Sequence, residues 1–92
     1  MIVSFRHKGL KRFYEDDDPR RLPPDMVPRI RAILSALDVA IDPAEMDLPS
    51  FRLHALKGDL RGFWAVTVRA NWRIVFRFDG RNAVDIDFLD YH

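Results

Sequence analysis

The stretch Trp72-Arg-Ile-Val-Phe-Arg-Phe78 alternates large apolar residues with other residue types, and this alternation decides the fold class. Successive side chains of a β-strand point to opposite faces of a sheet. Four apolar side chains therefore share one face: Trp72, Ile74, Phe76 and Phe78. The other face carries Arg73, Val75 and Arg77. The pattern predicts a strand with one face in the core and one face that is wet and basic.

Similar strands are predicted on both sides of this stretch. Residues 63–68 precede it with Trp64, Val66 and Val68 facing inward, and residues 83–91 follow it with Val84, Ile86 and Phe88 facing inward. Residues 51–56 predict a further strand, with Phe51, Leu53 and Ala55 inward and Arg52, His54 and Leu56 outward. The second half of the chain is therefore expected to form one antiparallel sheet.

The apolar faces of neighbouring strands stay together in only one register. Val68 then lies opposite Trp72, and Asp79 lies opposite Ala83, each pair being joined by a three-residue loop. On the outward face this register pairs Arg77 with Asp85, Arg73 with Leu89, and Asn71 with Tyr91. The first loop, a cation and the end of the last strand are therefore expected to converge.

The first half of the chain predicts one strand and two helices. Residues 1–5 read as a short strand and residues 7–15 as a short helix, followed by the acidic run Glu15–Asp18, which predicts a solvated loop. A second helix follows Leu22, with Asp25 as its N-cap. Its apolar face consists of Met26, Ile30, Ile33, Leu34, Leu37 and Ile41. The order β-α-α-β-β-β-β indicates an α+β fold in which the helices cover one face of the sheet and leave the other open.

Length and composition limit the classes of protein to consider. The 92 residues, with 48% hydrophobic content, predict a single domain over residues 1–92. The absence of cysteine excludes disulfides, thiolate ligands and thiol catalysis. The charged start lacks the apolar run of a signal peptide, and no stretch approaches the length of a membrane span. We therefore expect a cytoplasmic protein with no membrane partner.

Positive charge is concentrated in one segment. The chain has 15 basic and 14 acidic residues, but residues 52–81 hold seven of the basic and only two of the acidic ones. Most of the cations are arginine, whose planar guanidinium binds phosphate oxygens in pairs and stacks on bases. The segment fits an anionic ligand, although ordinary arginines on a strand surface would give the same count.

The candidate reactive side chains lie on or beside the outward face. His54 and His92 are the residues best suited to move protons near neutral pH. Two histidines and Asp90 also suggest a metal site, but their spacing is not that of a metal motif and the nearby cations disfavour it. The serines lie far from both histidines, and the glycines form no nucleotide-binding motif. An RNA-like substrate, which brings its own 2′-hydroxyl nucleophile, fits the remaining residues.

Three motifs resemble one known family. Leu-His-x-Leu-Lys-Gly-Asp begins at Leu53, Val-Arg-x-Asn-Trp-Arg-Ile begins at Val68, and Asp-Tyr-His occupies residues 90–92. In this order and in a chain of this length, they are similar to the HigB family, the host-inhibition toxin branch of the RelE-like superfamily. The opening from Ser4 to Leu10 resembles that family as well.

The resemblance implies a RelE-like fold and a ribosome-dependent mRNA endonuclease that needs no metal or cofactor. It also implies a helix-turn-helix antitoxin, HigA, through whose complex alone the protein would reach operator DNA. By analogy the catalytic residues are His54, Asp90, Tyr91 and His92, and the residues that contact phosphate and mRNA are Lys57, Asn71 and Arg73.

The expected reaction is attack of a ribose 2′-hydroxyl on the adjacent phosphate, which leaves a 2′,3′-cyclic phosphate. Asp90 or His54 is the candidate base and His92 the candidate acid, while Arg73 and Lys57 stabilise charge on the phosphoryl oxygens. Tyr91 would stack on the base or orient it. Two alternatives remain: a non-catalytic RNA-binding module, and a co-repressor that works with a DNA-binding partner.

Overall fold

The computed structural model of the protein describes residues 1–91, and His92 lies outside the described residues. Two helices precede a four-stranded antiparallel sheet whose strands lie side by side in chain order. The elements are α1 (Lys8–Asp16), α2 (Val27–Val39), β1 (His54–Ala55), β2 (Trp64–Arg69), β3 (Trp72–Asp79) and β4 (Asn82–Asp90), with short 3-10 turns over Pro24–Met26, Pro43–Met46 and Gly58–Leu60. The predicted α+β class is confirmed.

The first residues of the chain do not form the predicted strand. They run parallel to β4 and make two isolated bridges, Ile2 with Ala83 and Phe5 with Ile86. Between the two bridges, the Ser4 hydroxyl accepts a hydrogen bond from the backbone N–H of Asp85 at 2.9 Å, where β4 bulges. The segment still covers the edge of β4.

Both helices begin differently from the prediction. The side chain of His7 caps α1 by accepting a hydrogen bond from the Leu10 N–H at 3.1 Å, so the helix starts one residue later than expected. Asp25 does not cap α2, because it lies inside the 3-10 turn that leads into the helix, and its carboxylate pairs with Arg69 instead. Helix α2 ends at Val39, which leaves Ile41 46% exposed rather than on the apolar face.

The main core lies between the helices and the inward face of the sheet. Its fully buried members include Leu10, Ile30, Ile33, Leu37, Ile74, Phe76 and Ile86. Trp72 and Phe78 pack against the edge of the same cluster. The predicted inward face of β3 is therefore confirmed. Within residues 1–91, neither helix combines the length and the apolar character needed to cross a bilayer.

The predicted register is confirmed over most of the sheet and wrong next to the turns. Val66 lies opposite Ile74, as predicted, but a bulge makes Arg69 rather than Val68 the partner of Trp72. In the second hairpin, Arg73 lies opposite Leu89, as predicted.

Near the second turn the pairing is shifted by one residue. Asp79 lies opposite Asn82, and Arg77 lies opposite Val84. The extra residue that β4 takes up lies at the bulge next to Asp85, so Ala83 replaces Val84 in the main core.

Candidate active site

We call the sheet surface opposite the helices the outer face: it carries Ala65, Thr67, Arg73, Val75 and Leu89, together with the residues paired to them. The pairing places His54 opposite Ala65, Ala65 opposite Val75, and Val75 opposite Asp87. In a neighbouring row, Thr67 lies opposite Arg73, and Arg73 lies opposite Leu89. Because paired residues point to the same side of a sheet, His54 and Arg73 share the outer face.

His54 and Arg73 lie two strands apart and two residues apart along the strand direction. From ordinary strand spacing and rise, their Cα atoms are separated by about 12 Å. The side chains between them, those of Ala65, Val75 and Thr67, are short. His54 and Arg73 therefore flank these short side chains on one face of the sheet.

The sequence predicted that the face opposite the helices would be open, but the outer face is partly covered. Phe63, Ala65 and Val75 are buried there and form a second, smaller apolar cluster. It is covered by the loop between β1 and β2, which contributes Leu56 and Leu60. Period-two alternation cannot reveal this cover, because the loop comes from outside the strand. The same loop carries the exposed Lys57 at the border of the cluster.

Arg73 is held at the end of the first hairpin. Its Nη1 donates to the carbonyl of Ala70 at 2.5 Å and to that of Trp72 at 3.1 Å. Ala70 has a φ of 50°, the left-handed conformation that closes a bulged turn. The adjacent carbonyl of Asn71 accepts a hydrogen bond from the Tyr91 N–H at 2.8 Å. The predicted convergence of Asn71, Arg73 and Tyr91 is therefore confirmed.

Asp90 alternates with Leu89 along β4. It lies opposite Trp72, so the pairing places it on the side of the sheet that carries the helices. The aromatic ring of Trp72 is stacked on Phe88, with centroids 4.6 Å apart. The predicted register, which pairs Arg73 with Leu89, also places residue 90 opposite residue 72, so this part of the pairing is as predicted.

His54 is exposed, and its ring is oriented by the backbone. Nδ1 lies 3.2 Å from the carbonyl oxygen of Arg52. His7, by contrast, has a structural role: its side chain caps α1 and its ring packs edge-on against Phe88. Burial lowers the pKa of His7, while the charge of Asp87 opposes that effect. The two described histidines therefore divide into one that is accessible and one that supports the fold.

Two further arginines lie over the outer face. The guanidinium of Arg6 stands 4.9 Å from the centroid of the Phe63 ring. Arg77 donates from Nε to Asp85 at 2.7 Å, so the predicted pair forms across the bulge even though the two residues are not directly opposite. The alternation within β3 predicted the position of Arg77. Nothing in the sequence pattern places Arg6 over the sheet, since it reaches there from the N-terminal segment.

The geometry suits acid–base chemistry on an anionic substrate. An accessible imidazole, an arginine and a lysine border the small apolar cluster of the outer face, and a basic segment supplies the surrounding charge. No group of three His, Asp or Glu side chains within residues 1–91 is placed to hold a metal ion.

Comparison with known proteins identifies relatives over the full length. A family model described as the RelE-like toxin of the type II toxin–antitoxin system HigB matches residues 3–92. "Endoribonuclease HigB" from Proteus vulgaris is 45% identical over 92 residues, which are the whole of both chains. "Toxin HigB-1" from Vibrio cholerae is 34% identical over 96 aligned positions, covering all of this chain and 98% of that one.

Solved structures with the same fold are more distant in sequence. A YoeB dimer from Staphylococcus aureus matches with a TM-score of 0.60 at 21% identity, covering 100% of this chain and 97% of that one. A YoeB/ParE toxin from Agrobacterium tumefaciens matches with a TM-score of 0.58 at 18% identity, covering 100% and 99%. At these identities the likeness shows a common fold, and it agrees with the RelE-like architecture that the sequence predicted.

Proposed function

This chain belongs to the HigB-like family of RelE-like toxins of type II toxin–antitoxin systems, and from that premise we propose that it is an endoribonuclease that cuts mRNA on the ribosome. The observation that carries the proposal is the register of the sheet. It puts His54 and Arg73 on the same face of the sheet, at the border of the apolar cluster that the loop between β1 and β2 covers. Sequence-specific RNA recognition mostly targets single strands, whose bases are free to stack on aromatic side chains.

The reaction proceeds by transfer of the 2′-hydroxyl proton to a base and attack of the 2′ oxygen on the neighbouring phosphorus. The bond from phosphorus to the 5′ oxygen breaks, which leaves a 2′,3′-cyclic phosphate and a 5′-hydroxyl. Arg73 and Lys57 stabilise the charge that develops on the phosphoryl oxygens, which typically changes the rate by about 10²-fold or more per donor. Asn71 holds the RNA backbone, and Tyr91 orients a base by stacking.

His54 is the base in this scheme, because it lies on the outer face with Arg73 whereas Asp90 is paired on the opposite face. His92 remains the candidate acid from the sequence. Asp90, at the end of β4, stays in the catalytic set but does not take the hydroxyl proton.

Replacement of His92 by Gln should slow the reaction by about 10²-fold or more, the usual contribution of a general acid.

Dependence on the ribosome follows from the shape of the site. A shallow face with few reactive side chains has little means of holding a flexible RNA in line, and orientation contributes several kcal/mol to catalysis. The ribosome supplies that orientation by holding mRNA in a fixed path.

Membership of a toxin–antitoxin family entails an antitoxin partner. We infer that this partner is a HigA-type helix-turn-helix protein, through which the complex contacts operator DNA, and that the protein acts in the cytoplasm.

The test is primer extension on a defined mRNA in a translation system with purified ribosomes. We expect cuts that require translating ribosomes, with 2′,3′-cyclic phosphate ends and no cutting of the same naked RNA. Inhibition of translation without cuts would support the non-catalytic RNA-binding alternative. Operator binding by the antitoxin that tightens with this chain, without cuts, would support the co-repressor alternative.

A further inference from the structure

Arg52 has an unusual backbone conformation for its position. Four non-glycine residues of the described chain have positive φ: Asp17, Arg52, Ala70 and Asp85. Three of these have ordinary explanations, since Asp17 ends α1, Ala70 closes a hairpin and Asp85 lies at the bulge of β4. Arg52, with φ of 52°, belongs to none of these classes and lies two residues before His54. Such a conformation costs free energy and persists only where the surroundings enforce it.

The Arg52 carbonyl lies beside the His54 ring. The carbonyl oxygen lies 3.2 Å from Nδ1. A carbonyl oxygen only accepts hydrogen bonds, so the contact favours a proton on Nδ1. In the neutral ring, Nε2 then carries the free electron pair. Free histidine in water prefers the other tautomer, so the local backbone favours the less common one.

Arg29 of α2 holds the segment that precedes Arg52. Its Nη2 donates to the carbonyl of Ser50 at 2.5 Å and to that of Thr67 at 3.1 Å, and its Nη1 donates to the Ser50 hydroxyl at 3.2 Å. The guanidinium also lies 4.9 Å from the centroid of the Phe51 ring. One side chain therefore joins the helix, the approach to β1 and strand β2.

A backbone hydrogen bond completes the connection. The N–H of Thr67 donates to the carbonyl of Phe51 at 2.8 Å. Thr67 also lies opposite Arg73 in the sheet. Thr67 therefore contacts the segment that precedes His54 and neighbours the cation assigned to the phosphate. The placement of both groups depends on the same few contacts, and a guanidinium with its fixed fork is suited to making several of them at once.

We propose that Arg29 is a positioning residue: it holds residues 50–52 so that the Arg52 carbonyl keeps the proton on Nδ1 of His54 and leaves Nε2 as the base. The inference rests on the proposed function. Nε2 takes the 2′-hydroxyl proton, the 2′ oxygen forms its bond to phosphorus, and the bond to the 5′ oxygen breaks. The departing oxygen receives a proton from the general acid, for which His92 is the candidate. His54 becomes an imidazolium, with Nδ1–H still bonded to the carbonyl.

The first measurement is the tautomer of His54, read from the ¹⁵N chemical shifts of its ring in the full-length protein without RNA, at a pH where the ring is neutral. We expect the proton on Nδ1. A neutral ring protonated mainly on Nε2 would overturn the proposal. This measurement does not depend on nuclease activity, so a protein that failed to cut mRNA would contradict the proposed function without deciding the tautomer.

The second measurement compares Arg29→Gln with Arg31→Gln. Arg31 is a matched control on the same helix: its guanidinium lies 4.7 Å from the Phe13 ring centroid and it pairs with Asp17, away from the His54 segment. Arg29→Gln should move the tautomer toward Nε2–H and lower kcat by about 10-fold, part of the 10²- to 10⁴-fold that a positioned base contributes, with little change in KM. Arg31→Gln should change neither property.

Equal effects of the two substitutions on kcat, or a loss confined to KM, would overturn the positioning role. Both variants are first checked for folding by thermal unfolding. If Arg29→Gln does not fold, Arg29→Lys keeps the charge but has one nitrogen in place of the fork, and it should show the same shift in tautomer. An unchanged tautomer in a folded Arg29 variant would contradict the proposal.

Discussion

The two faces of β3 are made from alternate residues of one strand, yet they differ in what surrounds them. On the helix-covered face, Ile74 and Phe76 are completely buried. On the outer face, Arg73 and Arg77 are only partly covered, and the valine between them is buried under a loop. The helix-covered face holds most of the apolar core, whereas the outer face combines a small apolar floor with cations.

Under the proposed function, alternate residues of the same strand therefore serve stability on one face and chemistry on the other. A slip of one residue would bring the arginines into the core and expose the aromatic rings, so the register is strongly specified. The outer face can carry charged side chains with little change in the free energy of unfolding, since exposed cations contribute little to folding. Substitutions at neighbouring positions should therefore affect different properties.

The largest expected effect is on folding. Phe76→Ala removes a fully buried ring from the helix-covered face and should lower the free energy of unfolding by roughly 3 to 5 kcal/mol. Urea unfolding followed by circular dichroism measures it. A loss below about 1 kcal/mol would mean that this face does not hold the core.

The next effect is on catalysis. Under the proposed mechanism, Arg73 stabilises the charge that develops on the phosphate, so Arg73→Ala should reduce mRNA cleavage on ribosomes by about 10²-fold or more. Its stability should change by no more than about 1 kcal/mol, since the side chain is partly exposed. Arg81→Ala, in the exposed turn between β3 and β4, is the control and should cleave normally. Equal losses in the two variants would indicate a general effect of charge.

A large part of the fold could be predicted from alternation alone. The inward face of β3 follows from residues 72–78, and the pairing of Arg73 with Leu89 follows from keeping apolar faces together. The bulges could not be predicted, because they depend on left-handed residues such as Ala70 and Asp85 that are not glycine. They shift the pairing near each turn by one residue.

The candidate site was predicted less completely, and the reasons are physical. The register brought Asn71, Arg73 and Tyr91 together, as expected. The same register puts Asp90 opposite Trp72, which is also observed. The contacts of Arg29 with Ser50 and Thr67 are tertiary, between a helix and the sheet, so no local pattern reports them.

A smaller effect is expected from the apolar floor of the outer face. Val75→Ala removes two buried methyl groups and should cost about 1.5 kcal/mol of stability. Cleavage should fall modestly, because Val75 supports the surface between His54 and Arg73 without touching RNA. Thermal unfolding and cleavage are measured on the same preparation. A loss as large as that of Phe76→Ala would mean that the two faces contribute equally to folding.

The smallest effect concerns a polar pair on the helix side. Tyr14 donates to Asp38 at 2.7 Å, which lowers the pKa of that carboxyl and, together with burial, raises the pKa of Tyr14 to about 12. Because the pKa of Asp38 is lowered in the folded protein, the pair stabilises the fold at pH values above the pKa of an unfolded Asp, about 3.9. This contribution is lost as the pH falls below that pKa. The raised phenol pKa also gives a contribution to stability. It is complete below the pKa of an unfolded Tyr, about 10, and is lost as the pH rises through about 12.

Removal of the Tyr14 hydroxyl tests this pair. Tyr14→Phe should lose less stability than the unmodified protein when the pH is lowered. The difference should be less than about 1 kcal/mol because the pair is exposed, and cleavage should be unchanged. A pH series of urea unfolding measures the first effect. Absorbance titration of the tyrosines, with Tyr91→Phe isolating Tyr14, should give a phenol pKa near 12. A pKa close to 10 would contradict the hydrogen bond.

The most direct test of the division between the faces is the comparison of two adjacent substitutions, Arg73→Ala and Ile74→Ala, in one experiment. Cleavage of ribosome-bound mRNA is measured at a temperature where both variants are folded, alongside their free energies of unfolding. We predict that Arg73→Ala loses at least about 10²-fold in cleavage with stability nearly unchanged, and that Ile74→Ala loses roughly 2 to 5 kcal/mol in stability with cleavage by the folded fraction largely retained. Loss of cleavage in proportion to loss of stability in both variants would contradict the account.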